Sequence, residues 1–282
     1  MPALRIAVVG HVEHVTLGRV EGAIAPGDVV HLVEPRFVPA GGGGIAFAQL
    51  CRSDAEVLLF TAVGRDDAGR AVAERIAASP ALVHVHAAVR DIDHPRVVVV
   101  IDGAGRRTIV VTGDPLQPRA DDALPWREIA SCDAAYFTGN DPGSLRLARA
   151  AARLVVAARR EAAIRASSVV ADVVVGSVAD PRENRPFDAY EPAPGALVLT
   201  DGPRPVRIVR PGGVTFVDAP PSPDRVAGDY GAGDSFAAAL TYFVAHGLPL
   251  EEACRRAGPF GTAVLHGIDP LETQATLRPP AA

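Results

Sequence analysis

Lysine is absent from this chain of 282 residues, which contains 28 arginines. The absence excludes a Walker-type phosphate loop and every mechanism that needs a lysine ammonium group. Positive charge is not in excess either, because the formal net charge is −5 at pH 7. With no basic stripe and no interleaved aromatic residues, the sequence gives no reason to expect a nucleic-acid partner.

Cysteines and long apolar runs are also scarce. Cys51, Cys132 and Cys254 are odd in number, far apart and without metal-ligand spacing, which predicts buried, non-catalytic thiols in a reducing compartment. No apolar run reaches the ~18 residues of a membrane span, and the opening MPALRIAVVG is typical of a first strand rather than a signal peptide. The sequence therefore predicts a soluble, cytoplasmic protein that does not bind a membrane.

What is present favours one large α/β domain over residues 1–282, with a small appendage. Hydrophobic residues make up 48% of the chain, enough for a sizeable core, and the 22% of charged residues argue against disorder. Short apolar runs alternate with amphipathic segments along most of the sequence. This alternation is typical of a mostly parallel sheet covered by helices on both faces.

The individual elements follow this alternation. We expect strands at residues 5–9, 56–62, 134–137, 169–175 and 196–199. We expect helices at residues 44–52, 67–77, 144–160, 232–245 and 251–264. The polar, proline-rich stretch 180–194 is predicted to be a loop.

Two patches have a different texture from the rest. Residues from about 11 to 40 and from about 95 to 112 alternate apolar and polar side chains, with Pro and Gly between them. Such alternation is typical of short strands exposed on one side. In the second patch, VVVVIDG and RTIVV flank a turn and predict a hairpin. Together the two patches predict a small β-sheet beside the core.

The strongest local signal for function is the turn GDYGAGDSF at residues 228–236. Apolar residues then recur at the spacing of one helix face, so a glycine-rich turn leads directly into a helix. The unpaired amides and the dipole at a helix N-terminus favour an anion such as phosphate. Asp234 would repel that phosphate unless it takes a proton from an attacking hydroxyl group. The alternative is an N-capping Asp that needs no ligand.

Three glycine-rich segments occur in order along the chain: residues 41–44 (GGGG), 64–69 (GRDDAG) and 231–234 (GAGD). Together they resemble the signatures of the ribokinase-like (PfkB-type) carbohydrate kinase family, and the similarity extends over nearly the whole chain. The resemblance implies a three-layer α/β/α core with a small β-sheet lid formed by about 11–40 and 95–112. It also implies ATP as phosphate donor, Mg²⁺ as cofactor, and a homodimer formed through the lid.

The resemblance assigns roles to these segments. It implies that Asp234 is the catalytic base, and that Gly41 and Gly42 contact the phosphate acceptor. The implied anion hole consists of the backbone amides of three residues: Gly231, Ala232 and Gly233.

Weaker matches concern the nucleotide side. Thr200 and Gly202, after the strand ALVL, resemble a segment that lines the nucleotide site. Ser177 and Asp180 stand where the family has an N-x-x-E motif for magnesium and phosphate, which implies nucleotide contact by Ser177 and metal binding by Asp180. Where the family's GAGD block opens with Asp-Thr, this chain has Gly228-Asp229.

The acceptor side departs further from the family. The sugar-binding Asn after the di-glycine is Ala46, and the Asp after the first strand is missing from a loop that contains His11, Glu13 and His14. Glu13 could replace one hydrogen-bonding partner. His11 or His14 could bind substrate, although a surface histidine is the more frequent case.

Two further positions could contact the acceptor. Arg106 and Arg107, at the tip of the predicted hairpin, could clamp an anionic substrate or only solubilise a turn. Asn140 follows a strand at the carboxyl edge of the predicted sheet, where ligands of open α/β folds collect. A loop-capping Asn explains that position equally well.

The function predicted from these residues is transfer of the ATP γ-phosphate to a hydroxymethyl group of a sugar or sugar-like small molecule. Two alternatives stay open: a catalytically weak nucleotide- or metabolite-binding protein on the same fold, and a nucleoside kinase. A dinucleotide-dependent oxidoreductase is disfavoured, because VVGHVEHV after the first strand lacks the G-x-G-x-x-G fingerprint.

Overall fold

The computed structural model describes residues 3–79 and 82–280. Its strands are β1 (Arg5–Val9), β2 (Glu13–Arg19), β3 (Val33–Ala40), β4 (Glu56–Gly64), β5 (Val83–Arg90), β6 (Arg96–Ile101), β7 (Arg107–Thr112), β8 (Ala134–Phe137), β9 (Leu154–Ala157), β10 (Val173–Ser177), β11 (Ala196–Asp201), β12 (Arg204–Arg210) and β13 (Gly213–Val217). Its helices are α1 (Gly41–Leu50), α2 (Asp67–Ala77), α3 (Pro142–Ala148), α4 (Glu161–Ser167), α5 (Ala232–Ala245), α6 (Leu250–Val264) and α7 (Pro270–Thr273). Short 3₁₀ turns lie at Trp126–Ser131, Ala158–Arg160 and Phe187–Ala189.

A nine-stranded sheet forms the centre of the molecule, in the order β13-β12-β11-β10-β9-β8-β1-β4-β5. From β11 to β5 each neighbouring pair is parallel, while β12 and β13 add antiparallel strands at one edge. The inner strands are apolar on both faces, and Ile6 to Val9 of β1 are completely buried. Uninterrupted apolar strands are what a parallel sheet needs when helices cover both of its faces.

Each face of this sheet has its own hydrophobic core, because successive side chains of a strand point to opposite faces. On one face Ile6 and Val8 pack in a cluster with residues of α1, α2, α5 and α6. On the other face Ala7 and Val9 pack in a cluster with residues of α3 and α4. The predicted three-layer α/β/α class is therefore confirmed.

The predicted small β-sheet is also confirmed. It has four strands in the order β3-β2-β6-β7, with β2 and β6 parallel and the other two pairs antiparallel. Its inner face contributes residues such as Leu17 and Val99 to a cluster that also contains Ile45, Tyr230 and Ile268 from the main body. This cluster holds the lid sheet against α1 and against the loop that leads into α5.

One predicted element is wrong. The expected helix at 144–160 is instead α3, then strand β9, then the 3₁₀ turn Ala158–Arg160. Alanine and arginine favour helices, but the run Leu154 to Ala157 is completely buried between β8 and β10, where sheet pairing overrides helix propensity. The expected strand at 169–175 is also displaced, because β10 spans Val173–Ser177.

Other boundaries agree more closely. The predicted bounds of β1, α2, β8 and α5 match those of the structure, and α1 begins three residues earlier than expected, at Gly41. Strand β5 and the hairpin β12–β13 have no counterpart among the predicted elements. Within residues 3–79 and 82–280, no helix is both long and apolar enough to cross a membrane.

The three cysteines are unpaired and only weakly accessible. Cys132 and Cys254 are buried, as expected, and Cys51 is partly buried. Burial raises the pKa of each of the three thiols to about 12. None is therefore a thiolate near neutral pH, which agrees with the expectation that they are not catalytic.

Candidate active site

The candidate site lies where β1 and β8 end, beside the first turns of α1 and α5. Thr138, after β8, donates its amide to Val9 O at 2.9 Å, and Gly43 of α1 donates to His11 O at 3.1 Å. These contacts bring the loop after β1, the loop after β8 and the di-glycine together. Ligands of open α/β sheets bind at this carboxyl edge.

Helix α5 begins with a turn that only glycine can make comfortably. Its N-cap, Gly231, has φ = 86°, and a Cβ there would lie 2.7 Å from Cβ of Pro270. A Cβ at Gly233, in contrast, would have no atom within 4 Å. The space beside Gly233 in the first turn of α5 is therefore open, as an anion hole requires.

Asp234 does not cap this helix. No side chain caps α5, and Oδ1 of Asp234 instead accepts a hydrogen bond from Nη2 of Arg159 at 3.0 Å. The alternative interpretation as a capping Asp is therefore wrong. The carboxylate points towards the di-glycine, because a Cβ at Gly42 would lie only 3.1 Å from its Oδ1. The side chain is 18% exposed, so a ligand can reach it.

Arg159 occupies the centre of the site. Its Nη1 lies 3.0 Å from Oε1 of Glu183, and its Nη2 contacts Asp234. A Cβ at Gly42 would lie 2.6 Å from the same Nη2, so glycine is needed there for this close approach. Burial opposes the charge of Arg159, but Asp234, Tyr136 and Glu183 outweigh burial and raise its pKa above the ordinary value. It remains a cation.

Glu183 is the second carboxylate of the site. It is buried, and its Oε2 accepts a hydrogen bond from the amide of Ser177 at 2.9 Å. Burial raises the pKa of Glu183, while the charge of Arg159 opposes the rise. Arg159 thus bridges two carboxylates, one on α5 and one in the loop after β10.

The loop after β1 and the first residue of β2 contribute one buried titratable group each. His11 is 6% exposed, so the more frequent case of a surface histidine does not apply to it. Burial, together with Arg160 and Arg159, lowers its pKa to about 3. Burial raises the pKa of Glu13 to about 7. Nε2 of His11 lies 3.6 Å from Oε1 of Glu13. Because the imidazole is neutral at neutral pH, this contact is not an ion pair.

The di-glycine packs directly against this loop. Gly41 has φ = 76°, and a Cβ there would lie 2.9 Å from Cδ2 of His11. Its amide donates to the hydroxyl oxygen of Tyr230 at 3.4 Å, a long hydrogen bond that joins α1 to the turn before α5. The glycines predicted to contact the acceptor therefore lie between His11 and Asp234.

Two polar side chains extend the site from the loop after β8. Thr138 is completely buried, and its Oγ1 has no hydrogen-bond partner among the described residues. Asn140 lies at the exposed end of the same loop and accepts a hydrogen bond from Nη1 of Arg160. The structure thus places Asn140 at the predicted sheet edge, in contact with an arginine that the sequence did not single out.

Arg107 lies outside this cluster. Its Nη1 is 2.7 Å from Oδ2 of Asp229, and its amide donates to Oδ1 of the same carboxylate. Arg106 pairs with Asp102 within the hairpin turn. Arg107 therefore connects β7 to the loop preceding α5 rather than extending into the space above Asp234.

The residues predicted to bind the nucleotide lie on neighbouring strands. Ser177 of β10 is the register partner of Thr200 of β11, whose Oγ1 donates to Gly176 O at 3.2 Å. Gly202 makes the following turn with φ = 59°. Asp180 is ion-paired with Arg182 at 2.7 Å, and its carboxylate also accepts the Arg182 amide.

No preformed metal cage is found in the part of the chain that the structure describes, where no three His, Cys, Asp or Glu side chains cluster suitably. Mg²⁺ is usually held by one or two carboxylates together with substrate phosphates, so such a cage is not required. The carboxylates of Asp180 and Glu183 are chemically suitable, although each is paired with an arginine.

Sequence reasoning missed Arg159, Arg160 and Glu183. The signal for the arginines was an apolar run, LVVAA, followed by two consecutive charges. It is the pattern of a buried strand ending at a ligand-binding edge, but the run was included in a predicted helix. Glu183 carried no local signal, because only the fold of the loop after β10 brings it to Arg159.

The fold is that of the ribokinase-like α/β proteins. Residues 188–268 match the sequence model of the pfkB family carbohydrate kinases. No curated protein sequence matches the chain. The predicted resemblance to the ribokinase-like (PfkB-type) carbohydrate kinase family is thereby confirmed by a family match that includes the GAGD segment and by the structural similarities that follow.

Solved structures share this fold at low sequence identity. A putative ribokinase from Agrobacterium tumefaciens is 18% identical, with a TM-score of 0.78 over 97% of this chain and 95% of that one. Ribokinase from Arabidopsis thaliana, complexed with ribose and ATP, is 14% identical with a TM-score of 0.76 over 96% of both chains. A nucleoside kinase from Burkholderia thailandensis, in complex with inosine, is 16% identical with a TM-score of 0.72 over 96% and 94%.

Proposed function

We propose that this protein transfers the γ-phosphate of ATP to a hydroxymethyl group of a sugar or sugar-like small molecule. The observation that carries the proposal is the position of Asp234, whose carboxylate faces Gly42 beside the open amides that begin α5. A base and an anion hole at one point are what in-line phosphoryl transfer needs.

In this proposal Asp234 accepts the proton of the acceptor hydroxyl as that oxygen attacks the phosphorus atom. The amides of Gly231, Ala232 and Gly233 donate to the oxygens of the migrating phosphoryl group. Asp234 is held in place by Arg159, and the guanidinium also places positive charge where negative charge develops. Because the chain has no lysine, Arg159 is the cation available at this point.

The donor side would be formed by Ser177, Thr200 and Gly202 at the ends of β10 and β11. Asp180, or Glu183 beside it, would hold Mg²⁺ through one carboxylate or through water. When bound, Mg²⁺ supplies neutralisation of charge on the phosphate oxygens. The carboxylate that binds Mg²⁺ would then have to give up contacts with its arginine, which is Arg182 for Asp180 and Arg159 for Glu183.

The acceptor would lie between the di-glycine and the lid, near His11, Glu13 and Asn140. Both ribose and inosine are bound by proteins of this fold, so sugar and nucleoside acceptors are both open on structural grounds. A nucleoside kinase is therefore the second candidate for the acceptor class. Closure of the lid sheet over the acceptor would exclude water and limit ATP hydrolysis.

A catalytically weak binding protein is the alternative of a different class. The observation in its favour is the ion pair between Arg159 and Asp234, because Nη2 of Arg159 already occupies Oδ1 of the proposed base. The carboxylate of Asp234 beside the open space at Gly233 argues for the kinase. A protein that only binds a nucleotide has no need of a carboxylate facing the phosphate site.

The test is acceptor-dependent release of ADP from ATP and Mg²⁺, measured over a panel of sugars and nucleosides with mass detection of the phosphorylated product. The proposal predicts that at least one acceptor gains one phosphate and raises ADP release well above the rate without acceptor. If ATP binds but no acceptor in either class is phosphorylated, the binding-protein alternative replaces it.

We also propose a homodimer formed through the lid. Strand β7 is an edge of the small sheet, and Ile109, Val110 and Val111 are 43%, 54% and 45% exposed. An exposed apolar edge strand is a natural surface for pairing with another sheet. Light scattering on the purified protein should give about twice the mass of one chain, and Val110→Glu should give the mass of one.

A further inference from the structure

Arg160 is a cation that has no ion-pair partner among the described residues, and Asp234 and Glu183 act on it only from beyond contact distance. Arg159, its neighbour, is paired with two carboxylates, whereas no described Asp or Glu side chain lies within ion-pair distance of Arg160. Its assigned side-chain hydrogen bond is donated by Nη1 to the neutral Oδ1 of Asn140. Its Nε is buried and has no hydrogen-bond partner in the described part of the chain.

This arrangement is costly for the free protein. Burial and the charge of Arg159 lower the pKa of Arg160 to about 10, so it stays protonated at neutral pH while its charged form is disfavoured. A partly buried charge without a partner destabilises a fold and is rarely retained without a role. A guanidinium with free N–H groups is a strong site for a carboxylate or phosphate.

The hydrogen-bond partner of Arg160 lies in the wall of a cleft, although Arg160 itself does not line it. Its partner Asn140 lines a cleft of about 1010 Å³ that extends between the loop after β8 and the ends of β6 and β7. Gln117 lines the same cleft, and both polar atoms of its side-chain amide are buried without a partner among the described residues. Polar groups without partners in a cleft wall are available to a ligand.

The acidic residues of the cleft do not neutralise Arg160. Asp141 caps α3 by accepting the amide of Ser144 at 2.6 Å, and Asp91 pairs with Arg65 at 3.2 Å. Asp93 and Asp114, which also line the cleft, are exposed to solvent.

We infer that Arg160, held by Asn140, binds a negatively charged group of the phosphate acceptor, either a carboxylate or a phosphate ester. The acceptor class is then an anionic sugar derivative rather than a neutral sugar or nucleoside. This inference rests on the proposed function, because the ligand is called an acceptor only if phosphoryl transfer occurs. Anion binding by Arg160 can be measured independently of that reaction. The other source of such a group is the phosphate chain of the nucleotide.

The test is isothermal titration without nucleotide, using matched pairs of glucose and gluconate, ribose and ribose 5-phosphate, and fructose and fructose 6-phosphate, with inorganic phosphate as the simplest probe. The wild-type protein should bind at least one anionic probe at least about tenfold more tightly than its neutral counterpart. Arg160→Gln should abolish that preference, and Arg160→Lys should retain part of it.

Arg153→Gln is the matched control, since Arg153 is exposed and lies before β9, at the opposite end of the strand from Arg160. It should bind every probe as the wild type does. The inference is overturned if no anionic probe, inorganic phosphate included, binds more tightly to the wild type than to Arg160→Gln. It is also overturned if Arg160→Gln weakens only a non-hydrolysable ATP analogue, because the anion would then be the donor's.

The two proposals fail in different ways. If Arg160-dependent anion binding is found but no probe is ever phosphorylated, phosphoryl transfer is wrong and the anion site stands. If neutral sugars are phosphorylated equally by the wild type and by Arg160→Gln, with no anionic preference in either protein, the anion site is wrong and the kinase stands.

Discussion

At the scale of single residues, the site depends on how its charges are paired. Arg159 holds Asp234 and Glu183 with contacts of 3.0 Å each, although these three side chains come from distant parts of the sequence. A partly buried ion network of this kind adds little net stability, but removing its only cation leaves two carboxylates without compensation. Arg159 therefore fixes the orientation of the proposed base more than it stabilises the fold.

Replacing Arg159 should expose that dependence. Arg159→Met removes the guanidinium and leaves a shorter, unbranched apolar side chain, and we expect unfolding to become easier by about 3 kcal/mol, because Asp234 and Glu183 then lack a counter-charge. Urea denaturation near neutral pH measures the change. The exposed Arg153→Met should change stability by less than about 0.5 kcal/mol. A loss below about 1 kcal/mol for Arg159→Met would show that water already compensates the two carboxylates.

Glu13 predicts a pH dependence of stability. Its pKa in the folded protein, about 7, lies above its ordinary value of 4.5 because the side chain is buried. The folded state therefore holds this proton more tightly, and the Glu13 contribution to stability falls as pH rises from about 4.5 to 7.

Glu13→Gln removes this titration. Its stability relative to the wild type should improve by up to about 3 kcal/mol between pH 4.5 and pH 7.5, measured by urea denaturation at each pH. His11 acts in the opposite direction, since its low folded pKa gives stability that is lost as pH falls below 6.5. Because both proteins contain His11, the difference between them isolates Glu13. A difference that does not vary with pH would contradict the raised pKa.

At the scale of elements, the sequence predicted best where a local pattern and the tertiary context agree. The start of α5 is such a case, because the glycine turn and the helix face both occur within residues 228–245. Strand β9 is the opposite case. Its four residues follow an alanine-rich stretch with high helix propensity, and only pairing with β8 and β10 makes them a strand.

The same distinction between local and non-local features decides which residues of the candidate site could be predicted from the sequence. Asp234, the amides before it and the di-glycine are local motifs, so the sequence alone identifies them as candidates. Arg159, Arg160 and Glu183 belong to the site through the pairing of β9 and the path of the loop after β10. These are non-local features, and neither spacing nor composition records them.

The two glycines at the start of α5 give a prediction about that element. A Cβ at Gly233 meets no atom within 4 Å, and the residue is helical, so Gly233→Ala should keep or slightly raise the melting temperature. The added methyl group would occupy the space proposed for the phosphoryl oxygens. We therefore expect kcat to fall at least tenfold at unchanged stability.

Gly231→Ala is the contrasting variant. Its Cβ would lie 2.7 Å from Cβ of Pro270 at a φ of 86°, so it should lose both stability and activity. Thermal melting and steady-state kinetics of the two variants separate the effects. An active Gly233→Ala protein would place the phosphate elsewhere.

At the scale of the whole molecule, a hydrophobic cluster attaches the lid sheet to the main body, together with the ion pairs of Arg107 with Asp229, Arg36 with Glu272 and Arg96 with Asp66. The pair of Arg107 with Asp229 is about 40% exposed and contributes little to stability by itself. The attachment leads directly into the turn proposed as the anion hole, since Tyr230 belongs to the same cluster. A ligand at that turn is thus coupled to the lid by contact.

Hydrogen exchange should detect this coupling. A non-hydrolysable ATP analogue together with an acceptor should slow amide exchange in β6 and β7, while β12 and β13, at the far edge of the large sheet, should be unaffected. The nucleotide analogue alone should have a smaller effect on the lid strands. Equal protection of both regions would indicate general stabilisation rather than lid closure.

The central claim is that Asp234 activates the acceptor hydroxyl, and Asp234→Asn tests it most directly. With an acceptor identified in the panel, kcat should fall by about 10²–10⁴-fold, while the dissociation constant of the ATP analogue changes little. Asp121→Asn, at an exposed carboxylate, should retain wild-type turnover. A folded Asp234→Asn protein with near-normal kcat would contradict the account.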